Sequence, residues 1–107
     1  MTAPFVSQLR TRGDVLQLAP AGSPAITVRV EMPEVWDTVR ASVSPTTALA
    51  VLKRAALDAL FPGGTADAFV MKLRGFEVLD ENESLTTVGA VDGSIFLLTN
   101  RRRRPVR

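Results

Sequence analysis

Two consecutive runs of alternating apolar and polar residues constrain the fold more than any other feature of this chain. Every second residue is apolar in residues 26–32, and a similar alternation runs through residues 35–43. A period of two is typical of strands that bury one face. Pro33 and Glu34 lie between the runs and favour a turn. The two runs therefore predict an antiparallel hairpin, with Asp37 on the apolar side but close enough to the turn to reach water.

The segment after the hairpin predicts an amphipathic helix. Residues 48–61 are rich in alanine and leucine, which favour helix. The hydroxyls of residues 44–47 are expected to cap its N-terminus, and residues 62–64 (Pro-Gly-Gly) are expected to end it. Its apolar stripe is formed by residues at helical spacing, namely Leu49, Leu52, Ala56 and Leu60.

Three further strands are expected after the helix. Residues 69–74 form the first, residues 77–79 a short second one and residues 94–99 the last, with an acidic loop at 80–84 before a short helical turn. The element order predicts an α+β domain. We expect a four- or five-stranded mixed sheet with one helix packed across one face.

The length of 107 residues predicts one domain. Residues 1–24 are punctuated by proline and glycine and are interpreted as a partly flexible N-terminal arm, whose one plausible strand covers residues 14–18. Residues 25–100 form the predicted domain. Residues 101–107 form a basic tail with five arginines, whereas residues 1–100 carry eight basic and eleven acidic side chains. The basic character of the sequence is therefore concentrated in the tail.

The composition excludes several kinds of site. The chain has no cysteine, histidine or tyrosine, which excludes disulfides, thiolate or histidine metal ligands and a histidine general base. Asp80, Glu81 and Glu83 are interpreted as a solvated acidic turn, because their spacing is not that of a calcium loop. We therefore expect no catalytic residue, no metal, no cofactor and no enzymatic activity. No apolar run approaches the ~20 residues of a membrane span, and no secretory signal is visible, so a cytoplasmic location without a transmembrane segment is expected.

Residues 73–79 and 84–97 resemble the ubiquitin-like branch of the β-grasp superfamily, and the resemblance extends over residues 26–99. The Gly-Ala-Val-Asp-Gly-Ser segment at 89–94 is most similar to bacterial YukD/EsaB-type proteins, which are associated with type VII secretion. The resemblance implies a β-grasp fold and a non-catalytic adaptor, with a secretion accessory as one form of it. Residues 103–107 replace the Gly-Gly ending that ubiquitin conjugation uses, so a non-conjugated role is expected.

Ubiquitin-like proteins commonly bind partners on the sheet face that the helix leaves open, through an apolar patch ringed by basic residues. If Ile95 and Leu97 face the helix, alternation places their neighbours on that opposite face. The predicted partner-binding residues are Val70, Lys72, Phe96, Leu98, Arg29 and Arg40. Replacing Phe96 and Leu98 by serine is then expected to abolish binding and leave the fold intact. The alternative is that the arm covers this face through Val15, Leu16 and Leu18.

The tail supports a second hypothesis, in which a polyanion such as nucleic acid or an anionic surface is bound by Arg101, Arg102, Arg103, Arg104 and Arg107. A solvated basic end and a tail folded back on Asp80, Glu81 and Glu83 are the alternatives. A small subunit of a multicomponent enzyme is a third class of function. Trp36, beside the first turn, is either an interface anchor or packed against the neighbouring strand.

Overall fold

The structure is a computed structural model that describes residues 15–20 and 22–101. Six strands and two helices form one domain in that part of the chain. The strands are β1 (Val15–Gln17), β2 (Ile26–Met32), β3 (Asp37–Val43), β4 (Phe69–Leu73), β5 (Phe76–Glu77) and β6 (Ile95–Asn100). The helices are α1 (Leu49–Leu60) and the single turn α2 (Leu85–Val88), and short 3-10 turns lie at Pro33–Val35 and Ala66–Ala68.

The strands form one mixed sheet in the order β1-β3-β2-β6-β4-β5. Strands β2 and β3 are the predicted antiparallel hairpin, and β6 lies parallel to β2 in the centre of the sheet. Strand β4 is antiparallel to both β6 and β5. The α+β class and the single packed helix are confirmed. The sheet has six strands rather than four or five because β1 adds an edge strand parallel to β3.

The core lies between the sheet and α1. Each long strand sends alternate side chains towards the helix, as the period of two predicted. The sheet contributes Val28, Val30, Met32, Val39, Ala41, Val43, Phe69, Met71, Leu73, Phe96 and Leu98. The helix contributes Leu49, Leu52, Ala56, Leu57 and Leu60, and the segment after the acidic loop contributes Leu85 and Ala90. Burial of each large side chain stabilises the fold by about 1.5–3 kcal/mol.

Two tight turns set the strand boundaries. The 3-10 turn Pro33–Val35 occupies the start of the second alternating run, so β3 begins at Asp37 rather than at Val35. Trp36 ends that turn with φ at 55°, in the left-handed region. Strands β4 and β5 are joined by Arg74 and Gly75, whose φ angles of 54° and 86° match the two-residue turns that suit a twisted hairpin.

The N-terminus of α1 is bound by the acidic loop and not by the predicted hydroxyl caps. Ala48 occupies the N-cap position and makes no side-chain cap hydrogen bond. The N–H of Leu49 donates to the carbonyl of Glu83 at 2.9 Å, and the N–H of Ala50 donates to the carbonyl of Glu81 at 2.8 Å. The exposed donors of a helix start need such acceptors. A loop more than thirty residues away supplies them, which a local capping pattern does not reveal.

Candidate functional site

The sheet has a second face, opposite α1, which we call the open face. Its side chains alternate with the core residues of the same strands. They are Val15, Gln17, Thr27, Arg29, Glu31, Thr38, Arg40, Ser42, Val70, Lys72, Glu77, Ile95, Leu97 and Thr99. The open face therefore contains four of the six predicted partner-binding residues.

The predicted orientation of β6 is wrong. Phe96 and Leu98 are fully buried in the core, whereas Ile95 is 47% exposed on the open face. The register explains this, because Phe96 lies opposite Val30 on one side and Leu73 on the other, and both are core residues. A shift of one residue moves every side chain of a strand to the other face. The four consecutive apolar residues at 95–98 carry no alternation that could set the direction.

Two cross-strand rows give the open face its chemistry. In one row Arg40 lies opposite Arg29, and Arg29 lies opposite Ile95. In the next row Leu97 lies between Glu31 and Lys72. Residues directly opposite each other have side chains in contact range. Ile95 and Leu97 thus form an apolar centre with cationic side chains on both sides.

A shallow recess of about 140 Å³ lies in the first of these rows, and Arg29, Arg40 and Ile95 line it together with the turn at Gly93. Arg29 and Arg40 are exposed, as predicted, and Lys72 is half-buried. Val70 lies on the open face by alternation but is only 4% exposed. Its predicted contact role is therefore wrong, since almost none of its surface can reach a partner.

The described part of the predicted arm reaches the open face only at the edge strand β1. Leu16 lies opposite Ala41 in the parallel pairing of β1 and β3, which places it on the helix side of the sheet. Leu16 and Leu18 both pack against the core. Val15 lies opposite Arg40 and therefore on the open-face side, but β3 and β2 separate its strand from β6. Residues 1–14 of the predicted arm lie outside the described residues.

Solved structures with the same architecture include several ubiquitin-like domains. The ubiquitin-like domain of an Arabidopsis thaliana protein matches with a TM-score of 0.63 and 17% identity, over 83% of this chain and 90% of that one. The ubiquitin of Caldiarchaeum subterraneum matches with a TM-score of 0.64 and 15% identity, over 75% and 98% of the two chains. This chain has the ubiquitin-like β-grasp fold. The Plasmodium falciparum Dsk2 ubiquitin-like domain gives a TM-score of 0.63 and 20% identity, over 73% and 100%.

These identities establish the fold alone. No family model matches the sequence, and no curated protein matches it either.

Lys53 is a residue of this ubiquitin-like domain that the sequence analysis missed. Its side chain is 2% exposed, and its Nζ donates to both carboxylate oxygens of Glu81 at 2.9 Å. Lys53 follows Leu49 by four positions and precedes Ala56 by three, so its place on the apolar stripe is visible in the helical spacing. The acidic loop is therefore only partly a solvated turn, because Glu81 neutralises a buried cation.

The start of the basic tail lies against the ubiquitin-like domain. The N–H of Arg101 donates to the carbonyl of Ala68 at 2.8 Å, and its Nε donates to the carbonyl of Asp67 at 2.9 Å. Its guanidinium also lies 3.9 Å from the carboxylate of Glu77. Arg101 therefore does not fold back on the loop at 80–84. The remaining predicted tail residues, Arg102, Arg103, Arg104 and Arg107, lie outside the described residues.

Glu34 joins the hairpin turn to the end of β6. Its Oε2 accepts hydrogen bonds from Thr99 Oγ1 at 2.7 Å and from the N–H of Asn100 at 2.8 Å. Partial burial raises the pKa of Glu34, but the hydrogen bonds from Asn100 and Thr99 stabilise its charged form more. The pKa of Glu34 therefore lies below its ordinary value of 4.5.

The three most exposed large apolar side chains of the described residues lie outside the open face. Phe76 is 76% exposed and Leu79 is 85% exposed, and both line a groove of about 500 Å³ beside β5. Trp36, at the tip of the hairpin, is 91% exposed. It is not packed against the neighbouring strand, so the interpretation as an interface anchor stays a prediction.

Within residues 15–20 and 22–101, no group of three acidic side chains has the geometry of a metal site. No helix in the described part of the chain has the length and apolarity needed to span a bilayer.

Proposed function

We propose that this ubiquitin-like domain binds a protein partner through its open face. Ile95 and Leu97 form the apolar centre of the contact, and Arg29, Arg40 and Lys72 surround it. The observation that carries the proposal is the 47% exposure of Ile95 on β6, which lies between β2 and β4, on the side of the sheet opposite α1. An apolar centre bordered by charges is the usual anatomy of a protein interface.

The charges around that centre indicate the kind of partner. Three of the five charged residues of the open face are basic, and the carboxylates among them are Glu31 and Glu77. The carboxylate of Glu77 already lies 3.9 Å from the guanidinium of Arg101. A partner surface with an apolar side chain bordered by carboxylates complements this arrangement. We therefore expect an acidic rim on the partner and an association rate that falls as salt concentration rises.

The test is affinity purification with the full-length chain as bait and quantitative mass spectrometry of the captured proteins. The doubly substituted variant Ile95→Ser/Leu97→Ser should lose the specific partner. Val51→Ser is the matched control, because Val51 is 50% exposed on α1, away from the open face. A partner captured equally by wild type and the double variant, or lost with Val51→Ser, would contradict the proposal.

The identity of the captured protein also tests the finer expectation of a secretion-system accessory. That expectation rests on the resemblance of residues 89–94 to YukD/EsaB-type proteins. A component of a secretion apparatus would support it. A large enzyme subunit would instead support the multicomponent-enzyme class.

Polyanion binding by the tail stays a prediction. Among its arginines, the described one, Arg101, donates its Nε–H to a backbone carbonyl of the domain. Replacement of Arg102, Arg103, Arg104 and Arg107 by glutamine should flatten the salt dependence of any nucleic-acid affinity if those residues contact phosphates.

A further inference from the structure

Trp36 combines two unfavourable features in one residue. Trp36 is 91% exposed, the largest exposed fraction among the large apolar residues that the structure describes. Its backbone also adopts φ 55° and ψ 43°, a left-handed conformation that costs a bulky residue of the L configuration about 1–2 kcal/mol. The N–H of Trp36 donates to the carbonyl of Pro33 at 3.1 Å, which closes the turn in that conformation. Glycine or asparagine would satisfy this turn with less strain, so the turn itself does not require an indole ring.

The ring borders a recess of about 360 Å³ at the tip of the hairpin. The recess is lined by Glu31, Met32, Pro33, Trp36, Asp37 and Thr38. Both charged residues in this lining are carboxylates. The third carboxylate of the turn, Glu34, is occupied by the hydrogen bonds from Thr99 and Asn100. Asp37 accepts the N–H of Thr38 through Oδ1, which leaves its second oxygen available to a ligand.

An exposed indole beside two carboxylates favours one class of ligand. The face of the ring carries negative partial charge and attracts a guanidinium or ammonium group. Either carboxylate can accept charge-assisted hydrogen bonds from such a cation. A phosphate or an anionic lipid surface would meet like charge at this position, so nucleic acid and acidic membranes do not fit it.

We propose that this recess binds an arginine- or lysine-bearing segment of a partner protein. The cationic group lies over the ring of Trp36, and its N–H groups donate to the carboxylate of Glu31 or of Asp37, which extend from opposite faces of the hairpin. The recess meets the open face at Glu31 and Thr38 but excludes Ile95 and Leu97. It is therefore a second binding surface, whose ligand chemistry differs from the acidic rim that the open face selects.

Trp36 is the sole tryptophan of the sequence, so its fluorescence reports directly on the recess. The full-length protein is titrated with acetylated hexa-arginine amide at low salt. The expected result is a saturable change in tryptophan emission that disappears at high salt. Hexaglutamate of the same length should produce no change.

Variants separate the ring from the charges. Trp36→Asn keeps a residue that tolerates φ 55° and removes the ring, and it should weaken binding of labelled hexa-arginine about threefold to tenfold by anisotropy. Glu31→Gln/Asp37→Asn keeps the tryptophan, and the asparagine can still accept from the Thr38 N–H. This variant should weaken binding and reduce the salt dependence. Val51→Asn on α1 is the control and should bind like the wild type.

Two results would overturn the proposal. Equal affinity of Trp36→Asn and wild type would mean that the ring does not take part. Replacement of Arg102, Arg103, Arg104 and Arg107 by glutamine should leave the emission of the unliganded protein unchanged. If that replacement alone shifts the emission, the occupant is the chain's own C-terminal segment rather than a partner. A third result would support the proposal. If the Ile95→Ser/Leu97→Ser variant loses partner capture but still binds hexa-arginine normally, the recess and the open face are separate binding surfaces.

Discussion

The Nζ of Lys53 lies 2.9 Å from both Oε1 and Oε2 of Glu81, with the lysine side chain 2% exposed and the glutamate side chain 24% exposed. The carbonyl of Glu81 also accepts the N–H of Ala50 in the first turn of α1. One loop residue therefore binds the helix through both its side chain and its backbone. This links the acidic loop to the only long helix among the described residues.

Substitution of Glu81 by alanine should destabilise the domain by about 2 kcal/mol, because it leaves a buried cation without a partner. The loss should be smaller than for a fully buried pair, since Glu81 is partly solvated. Urea denaturation followed by circular dichroism measures it, because the exposed Trp36 is a poor reporter of unfolding. Glu83→Ala, an exposed position in the same loop, should change the free energy of unfolding by less than about 0.5 kcal/mol.

Lys53→Met should cost less than Glu81→Ala. Methionine fills a similar volume at the buried position, and the carboxylate of Glu81 can turn towards water. The same denaturation measurement distinguishes the two variants. An equal or larger loss for Lys53→Met would show that the pair stabilises the fold through more than the neutralisation of the lysine.

Phe96→Ala should destabilise the domain by about 3–5 kcal/mol, because the side chain is fully buried and leaves a cavity. Ile95→Ala, one residue earlier and half-exposed, should cost less than about 1 kcal/mol. The Phe96→Ser/Leu98→Ser variant, expected from the sequence to keep its fold, should instead be unfolded. Thermal unfolding of the two alanine variants tests which side chains of β6 face the core. A larger loss of stability for Ile95→Ala than for Phe96→Ala would show that Ile95, and not Phe96, is the core residue.

Trp36→Asn should leave the free energy of unfolding unchanged or raise it by up to about 1 kcal/mol, because asparagine tolerates the left-handed conformation. Trp36→Val should lower it, since a β-branched residue is poorly accommodated at positive φ. Chemical denaturation measures the free energy of unfolding of both variants, and Trp36→Asn should be the more stable of the two. A marked loss of stability in Trp36→Asn would show that the indole ring supports the fold.

Glu34 should make stability depend on pH. Its pKa is lower in the folded protein than in the unfolded chain, so the unfolded state binds a proton first as pH falls. The contribution is fully present above about pH 5 and is lost as pH falls through the lowered pKa. Because the group is largely exposed, the effect should be at most about 0.5 kcal/mol. Thermal unfolding between pH 7 and pH 3 should show the wild type losing its advantage over Glu34→Gln at the acidic end.

The element order, the hairpin and the apolar stripe of α1 were predictable because each follows a local period in the sequence. Which side chains of β6 face the helix was not predictable, because the four apolar residues at 95–98 have no alternation. Only the pairing with β2 and β4 places Phe96 and Leu98 on the core side. The same limit applies to the start of α1. Its acceptors lie in a loop that reaches the helix only after the chain has folded.

The basic part of the candidate site was better predicted than its apolar part. Arg29 and Arg40 lie in strands with a clear period of two, so their exposure follows from alternation. Val70 shows the weakness of that reasoning, because its position on the open face does not make it accessible. Lys53 could have been identified from its place on the helical stripe, but its partner Glu81 could not, since 28 residues separate them.

The most direct test of binding through the open face is a methyl-resolved NMR titration of the full-length protein with the partner identified by affinity capture. The methyl resonances of Ile95 and Leu97 should shift or broaden on binding, whereas those of Val51 on α1 should stay in place. Unperturbed Ile95 and Leu97 methyl groups together with a shifted Val51 would contradict the account and place the partner on the helix side of the domain.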